Sequence, residues 1–258
     1  MAYAVITGAS KGIGKCIAVE LASRGYDLLL IARSEAELKA VSQELESRFN
    51  VKAPFLMLDL SQPGSAKKIF DKCYSEALPV SILVNNAGYG LAGSFMSYEA
   101  GDHLAMMKVN IDVPVELTHL FLDTLKKSPQ SYILNIASSA AYQAVPGLSV
   151  YAASKAFLLS FTRALRQELK SSNVSVTCIC PGTTDTNFND RANLNDKARQ
   201  MAKRVTMTSE KVAKIAVSGM FSGKAEVIPG FINKLGAVLV KILPNEMVEK
   251  TAMKIYGP

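Results

Sequence analysis

Short, almost continuous apolar runs alternate along this chain with longer stretches in which apolar positions return every three or four residues. The runs at 3–7, 27–31, 53–58, 81–84, 132–137, 174–180 and 225–228 read as strands buried on both faces, because they do not alternate with polar residues. Helical spacing fills the intervals, from the residues after Gly14 through Arg24, then over 35–49, 62–76, 98–127, from Tyr151 onward, and over 209–221. Strand and helix taking turns predicts an α/β fold whose parallel sheet is covered on both sides. The long helix over 98–127 is expected to break or kink at Pro114, and it carries Asn110, a polar residue that needs hydrogen-bond partners if buried. After 228 the chain spaces Phe231, Leu235, Val238, Leu239 and Ile242 at helical intervals.

The strand ends carry the chemistry. The first strand runs into Gly8-Ala9-Ser10-Lys11-Gly12-Ile13-Gly14 and then directly into a helix. Glycines allow a tight turn and close approach of backbone to ligand, and the helix start offers free N–H groups to a pyrophosphate. The spacing is G-x-x-x-G-x-G, so the surrounding strand and helix carry as much of the signal as the glycines. The second strand ends at Ala32-Arg33-Ser34, where a dinucleotide fold that prefers NAD places an acidic residue on the ribose hydroxyls. An arginine there, with Lys11 in the turn, suits a 2′-phosphate and favours NADP(H) over NAD(H). Further on, Tyr151 and Lys155 stand at i and i+4 at the head of a helix, so phenol and ammonium share one face and the cation would favour the phenolate. Ser138 lies just beyond the preceding strand, where open α/β sheets place their ligands.

Composition narrows the field. The chain has 258 residues, of which 49% are hydrophobic, enough for a large core in one domain. Cys16, Cys73, Cys178 and Cys180 sit in apolar strand or helix patterns without metal-ligand spacing, which reads as buried free thiols in a reducing compartment and no metal site. Cys178 and Cys180 should share one face of their strand. His103 and His119 fall in a single helix with no nucleophile beside them, which argues against a histidine-dependent triad. A net charge of +7 is spread along the chain with no interleaving of basic and aromatic residues, so nucleic acid is not expected as a partner. The amino terminus enters an apolar strand with no basic region or cleavage site before it, and a cytoplasmic location is expected.

Taken together, TGASKGIG at 7–14, Asp59, NNAG at 85–88, Asn110, Ser138, YAASK at 151–155 and Pro181-Gly182 resemble, in order and spacing, the single-domain short-chain dehydrogenases/reductases over nearly the whole chain. The resemblance implies a Rossmann-type, doubly wound three-layer sandwich around a seven-stranded parallel sheet. It implies a catalytic tetrad of Ser138, Tyr151, Lys155 and Asn110. Tyr151 would exchange a proton with the carbonyl oxygen, Ser138 would orient the carbonyl, Lys155 would lower the Tyr151 pKa and hold the nicotinamide ribose, and Asn110 would anchor a water relay. Cofactor contacts would come from Gly8, Ser10, Lys11, Gly12, Ile13, Gly14, Arg33, Asp59, Leu60, Asn86, Ala87, Gly88, Tyr151, Lys155, Pro181, Gly182, Thr184 and Thr186, with Asp59 and the Asn86 region bordering the adenine. Thr184 stands where the family commonly has Val or Ile.

The expected organisation is one domain over 1–258, with 1–137 mainly binding cofactor, 138–230 carrying catalysis and substrate, and 231–258 forming a helical tail. The expected function is NADP(H)-dependent reversible reduction of a small-molecule carbonyl, whether ketone, aldehyde or 3-oxoacyl group, to an alcohol. Tyr142, Val145, Leu148 and Phe188 are candidates for an apolar pocket wall, and the polar segment 187–203 for a substrate lid. The alternative is a cofactor-binding sensor or scaffold without turnover. By resemblance a homodimer or homotetramer is expected. The tail either packs over the cleft or a partner subunit, or touches a membrane surface; it is too short and charged to span one.

Overall fold

The computed structural model describes residues 2–185 and 206–257. Thr186, Phe188 and the 187–203 segment lie outside the described residues. In chain order the elements are β1 (Tyr3–Thr7), α1 (Gly12–Ala22), β2 (Asp27–Ala32), α2 (Glu35–Phe49), β3 (Phe55–Met57), α3 (Ser65–Ser75), β4 (Val80–Asn85), α4 (Ala100–Met107), a π turn (Lys108–Asp112), α5 (Val113–Lys127), β5 (Ser131–Ile136) and α6 (Ser149–Glu168). They continue with β6 (Val174–Ile179), β7 (Thr184–Asp185), β8 (Met207–Thr208), α7 (Ser209–Phe221), β9 (Glu226–Val227), α8 (Phe231–Ile242) and α9 (Asn245–Tyr256).

Seven strands form one parallel sheet in the order β3-β2-β1-β4-β5-β6-β9, and β7 pairs with β8 in a separate two-stranded ribbon. Strand pleating sends alternate residues to opposite faces. Leu28 and Leu30 of β2 therefore join a core with Ile17, Leu21, Val217 and Met220, under α1 and α7. Leu29 and Ile31 join the opposite core with Ile69, Leu117, Phe121 and Leu165, under α3, α5 and α6. Every residue of β1, β2 and β4 is buried, which is why those strands are mostly apolar, with Thr7, Asp27, Ser81 and Asn85 the buried polar exceptions. Phe121 is 1% exposed and bridges α5 to Phe70 of α3 edge to face; its truncation to alanine would cost about 3–5 kcal/mol.

The segment expected as one long kinked helix is two helices joined by the π turn, and the irregularity lies one turn before Pro114. In an unbroken α-helix Pro114 could give no N–H to the carbonyl of Asn110. The chain instead widens: the Val113 N–H bonds to Lys108, five residues back, and Pro114 falls into the first turn of α5, where a missing N–H costs little. The β3 and β9 strands are shorter than their apolar runs, and the tail holds a second helix, α9, beyond the spacing visible at 231–243. Cys178 and Cys180 do share a face, with their Sγ atoms 3.9 Å apart.

Candidate active site

The sheet order turns back between β1 and β4, so the loops leaving their carboxyl ends part to opposite faces. Such a divergence opens a crevice above the strand ends. Here it is a cleft of about 580 Å³, walled by the loops that follow β1 to β6 and by α8.

The glycine turn forms one end, with Gly8, Ser10, Lys11, Gly12, Ile13 and Gly14 all facing the cleft. A Cβ at Gly14 would lie 2.2 Å from the Gly8 carbonyl oxygen and 2.4 Å from Asn86 Nδ2, so only glycine lets the helix start close on the strand end. Asn86 donates to the carbonyls of Thr7 (2.9 Å) and Gly8 (3.1 Å), while Thr7 Oγ1 accepts the N–H groups of Asn86 (3.0 Å) and Ala87 (3.1 Å). The Asn86 amide, expected beside an adenine, thus holds the turn in shape while still lining the cleft. Helix α1 begins with no side-chain cap and no acidic residue in its first turn, which leaves its N–H groups and positive dipole end for an anion. Arg33, Asp59, Leu60, Ala87 and Gly88 line the same end. Asp59 Oδ1 accepts from the N–H and Oγ of Ser61, at 2.9 and 2.8 Å. Glu37, one turn into α2, also faces this end and pairs with Lys11 (Nζ to Oε1, 3.1 Å). Ser10 and then Lys11 hold its carboxylate below the ordinary range.

At the other end, Ser138 follows β5 and its Oγ accepts the Ala140 N–H at 3.1 Å, capping a 3₁₀ turn over Ser139–Tyr142. Tyr151 and Lys155, one turn apart on α6, are both buried and line the cleft together with Ser138. Lys155 donates to the Ile136 carbonyl at 2.9 Å, and its Nζ lies 5.9 Å from the centre of the Tyr151 ring. Burial pushes the Tyr151 phenol up to about 12, with a hydrogen bond to Ser138 pulling the other way. Burial brings Lys155 down to about 8. Desolvation dominates both groups, and the Lys155 ammonium is turned to a carbonyl at the end of β5.

Asn110 is fully buried behind this wall and does not line the cleft. Its amide donates to the Tyr89 carbonyl (3.0 Å) and to Ser154 Oγ (3.0 Å), and its oxygen accepts the Tyr89 N–H (3.1 Å). Ser154 in turn donates to the Tyr151 carbonyl at 2.7 Å. The side chain expected to anchor a water relay is thus committed to protein partners and fastens the loop after β4 to α6. A Cβ on Gly88 would lie 3.0 Å from both Asn110 Oδ1 and Lys155 Nζ, a measure of how closely the three segments meet.

Comparison with known proteins agrees with this geometry. The sequence profile of the family described as short chain dehydrogenase matches residues 2–197. This chain belongs to the short-chain dehydrogenases. It is 37% identical over 192 residues to a very-long-chain 3-oxoacyl-CoA reductase of Candida glabrata, an alignment covering 67% of this chain and 54% of that protein. The chain thus spans about half the length of that relative. It is 34% identical to 11-beta-hydroxysteroid dehydrogenase-like 4A of Arabidopsis thaliana, over 95% of this chain and 82% of the other. Among solved structures, a short-chain dehydrogenase from Sphingobium yanoikuyae in complex with NADPH superposes with a TM-score of 0.82 at 26% identity, covering 95% of this chain and 97% of that one.

A nicotinamide dinucleotide is the group the family brings to such a cleft, and the residues here fit it: an uncapped helix start for the diphosphate, a basic strand end for the ribose side, and Tyr151 with Lys155 at the far wall. Pro181, Gly182 and Thr184 line the cleft beside that wall, and Thr184 Oγ1 donates to the Gly182 carbonyl at 3.1 Å. Tyr142, Val145 and Leu148 supply an apolar side, as expected. The Tyr142 hydroxyl donates to Glu226 at 2.5 Å, and Glu226 also accepts from Arg163 Nε at 2.8 Å.

Sequence reasoning missed Glu37, Ser154, Asn233 and Tyr256. Glu37 meets Lys11 and Ser154 meets Asn110 only through the fold, although Ser154 lies inside the YAASK motif. Asn233 of α8 packs its side chain onto Gly182, where a Cβ would come within 2.3 Å. Tyr256 closes the cleft from α9. Helices α8 and α9 of the tail therefore line the cleft.

Proposed function

We propose that this short-chain dehydrogenase is an NADP(H)-dependent reductase that reversibly converts a carbonyl on an apolar ketone, aldehyde or 3-oxoacyl group to an alcohol, with Tyr151 as general acid and base. The observation that carries the reading is the meeting of Ser138, Tyr151 and Lys155 on one wall of a cleft whose opposite end presents Arg33 and Lys11. When bound, the nicotinamide exchanges a hydride with the carbonyl carbon. Ser138 and Tyr151 share a hydrogen bond, so an oxygen placed between them can accept from both hydroxyls. A phenol held near 12 keeps its proton throughout the neutral range and releases it only to an oxygen that is gaining negative charge. The Lys155 ammonium, charged below about 8, stabilises the phenolate left behind.

Arg33 supports the 2′-phosphate of NADP, and Lys11 can add to it by exchanging Glu37 for that phosphate. Tyr142, Val145, Leu148, Ile232 and Val240 make the substrate end apolar, and the names of the relatives, acyl-CoA and steroid-like, agree with a greasy carbonyl.

A screen of ketones and 3-oxoacyl thioesters, followed by NADPH absorbance, tests the reading. Tyr151→Phe is expected to lower kcat by about 10²–10⁴-fold, the usual worth of a positioned acid, while NADPH binding holds. Arg33→Asp is expected to weaken NADPH far more than NADH. Turnover retained in Tyr151→Phe would refute the acid role, and equal loss of both cofactors would refute the NADP preference.

A further inference from the structure

Helix α8 turns its apolar side outward. Ala237 is its one buried residue, and the half-buried Asn233 and Val240 complete an inward stripe at helical spacing. Turning about 100° per residue, the opposite arc, roughly 120° wide, carries Phe231, Leu235, Val238, Leu239 and Ile242, with Ile232 at its edge, where it also reaches the rim of the cleft. All six are exposed, Phe231 by 80% and Ile242 by 73%. A helix on the surface of a water-facing domain normally shows the reverse pattern, and a contiguous exposed apolar face marks an interaction site.

The charges say what it meets. Helix α8 contains no Asp or Glu, and its two charged residues, Lys234 and Lys241, lie on the flank between the inward stripe and the apolar arc; Lys234 is exposed, and Lys241 Nζ lies 5.6 Å from the centre of the Tyr142 ring. Long lysine stems can lie along an apolar surface while the ammonium reaches toward phosphate. The following helix α9 is balanced in charge, with Lys250 paired to Glu246 and with Lys254 and Glu249 besides, and it exposes Met247 and Met253. An exposed apolar arc flanked by lysine, on a helix without acidic residues, fits an amphipathic helix lying in a lipid headgroup layer.

We propose that the outer face of α8 docks this protein onto an anionic membrane surface, with Phe231, Leu235, Leu239 and Ile242 entering the headgroup layer. The inner face of the same helix continues to wall the cleft, so docking sets the cleft beside the bilayer. The proposal stands apart from the reductase reading, and its test needs no turnover.

The experiment is co-sedimentation of the full chain with phosphatidylcholine vesicles, with and without phosphatidylglycerol, at low and high salt. The wild type should pellet with the phosphatidylglycerol vesicles and be released by salt. The double variant Phe231→Ser/Ile242→Ser should partition about tenfold less or worse, because each side chain is worth more than a factor of ten when fully buried. Both positions are exposed and outside the cleft, so the thermal transition should be kept; if it is lost, Leu235→Asp repeats the measurement at one position. No pelleting of the wild type, or equal pelleting of the variants, overturns the proposal. A dimer on size exclusion that the double variant dissociates also overturns it and gives the face to a second copy.

Discussion

Lys155 shows what a single buried cation does to the whole protein. It is 4% exposed and its ammonium has one carbonyl partner, that of Ile136. The folded value of about 8 lies below the ordinary 10.5, so between these values the unfolded chain holds a proton that the native chain has released. A depressed value contributes stability that is present above 10.5 and lost as pH falls through 8. At neutral pH the buried charge is therefore a burden, on the order of 1–3 kcal/mol. Lys155→Met should abolish most activity and should gain stability at pH 7 relative to its effect at pH 10. Urea unfolding of both proteins at the two pH values reads this directly. The lost hydrogen bond to Ile136 is common to both conditions and cancels, and the same difference at both would show that burial does not shift this lysine.

Among the elements, what the sequence could show depended on how local the cause was. The buried strands were legible because continuous burial imposes an unbroken apolar run, and the glycine turn because its partners sit next to it in the chain. The π turn was not, since Pro114 announces an interruption without saying on which side of it the helix will widen. Nor were the partners of Asn110: a polar residue in an apolar helix demands hydrogen bonds, but only the fold brings Tyr89 and Ser154 to it. Likewise Gly147 gave no hint of its role. It holds φ +80°, and a Cβ there would lie 2.1 Å from the Tyr256 carbonyl oxygen, so the end of α9 packs directly onto the loop that leads into α6. Gly147→Ala should push that end of the chain away and open the substrate side of the cleft. We expect KM for the carbonyl to rise several-fold and carboxyl-terminal proteolysis to quicken while NADPH binding stays unchanged. Unaltered KM and proteolysis would mean that α9 tolerates the displacement.

At the scale of the molecule, the expected division into a cofactor half and a catalytic half is not a division of the fold. Strands β5 and β6 pair across it from Ser131 with Val174 to Ile136 with Ile179, and Asn110 is tied to Ser154 behind the cleft. Both cores also run through strands or helices of each half, with Ile179 and Met220 packed among residues of β1 and β2. A ligand bound at one end should therefore stabilise everything at once. NADPH at a hundred times its Kd adds about 2.7 kcal/mol, and about 2–4 °C per kcal/mol for a chain near this size places the shift at roughly 5–10 °C. Calorimetry should show one transition that moves as a whole, and Arg33→Asp should shrink the shift at the same NADPH concentration. Two transitions of which NADPH moves only one would mean that the halves unfold independently, with the β5–β6 pairing too weak to couple them.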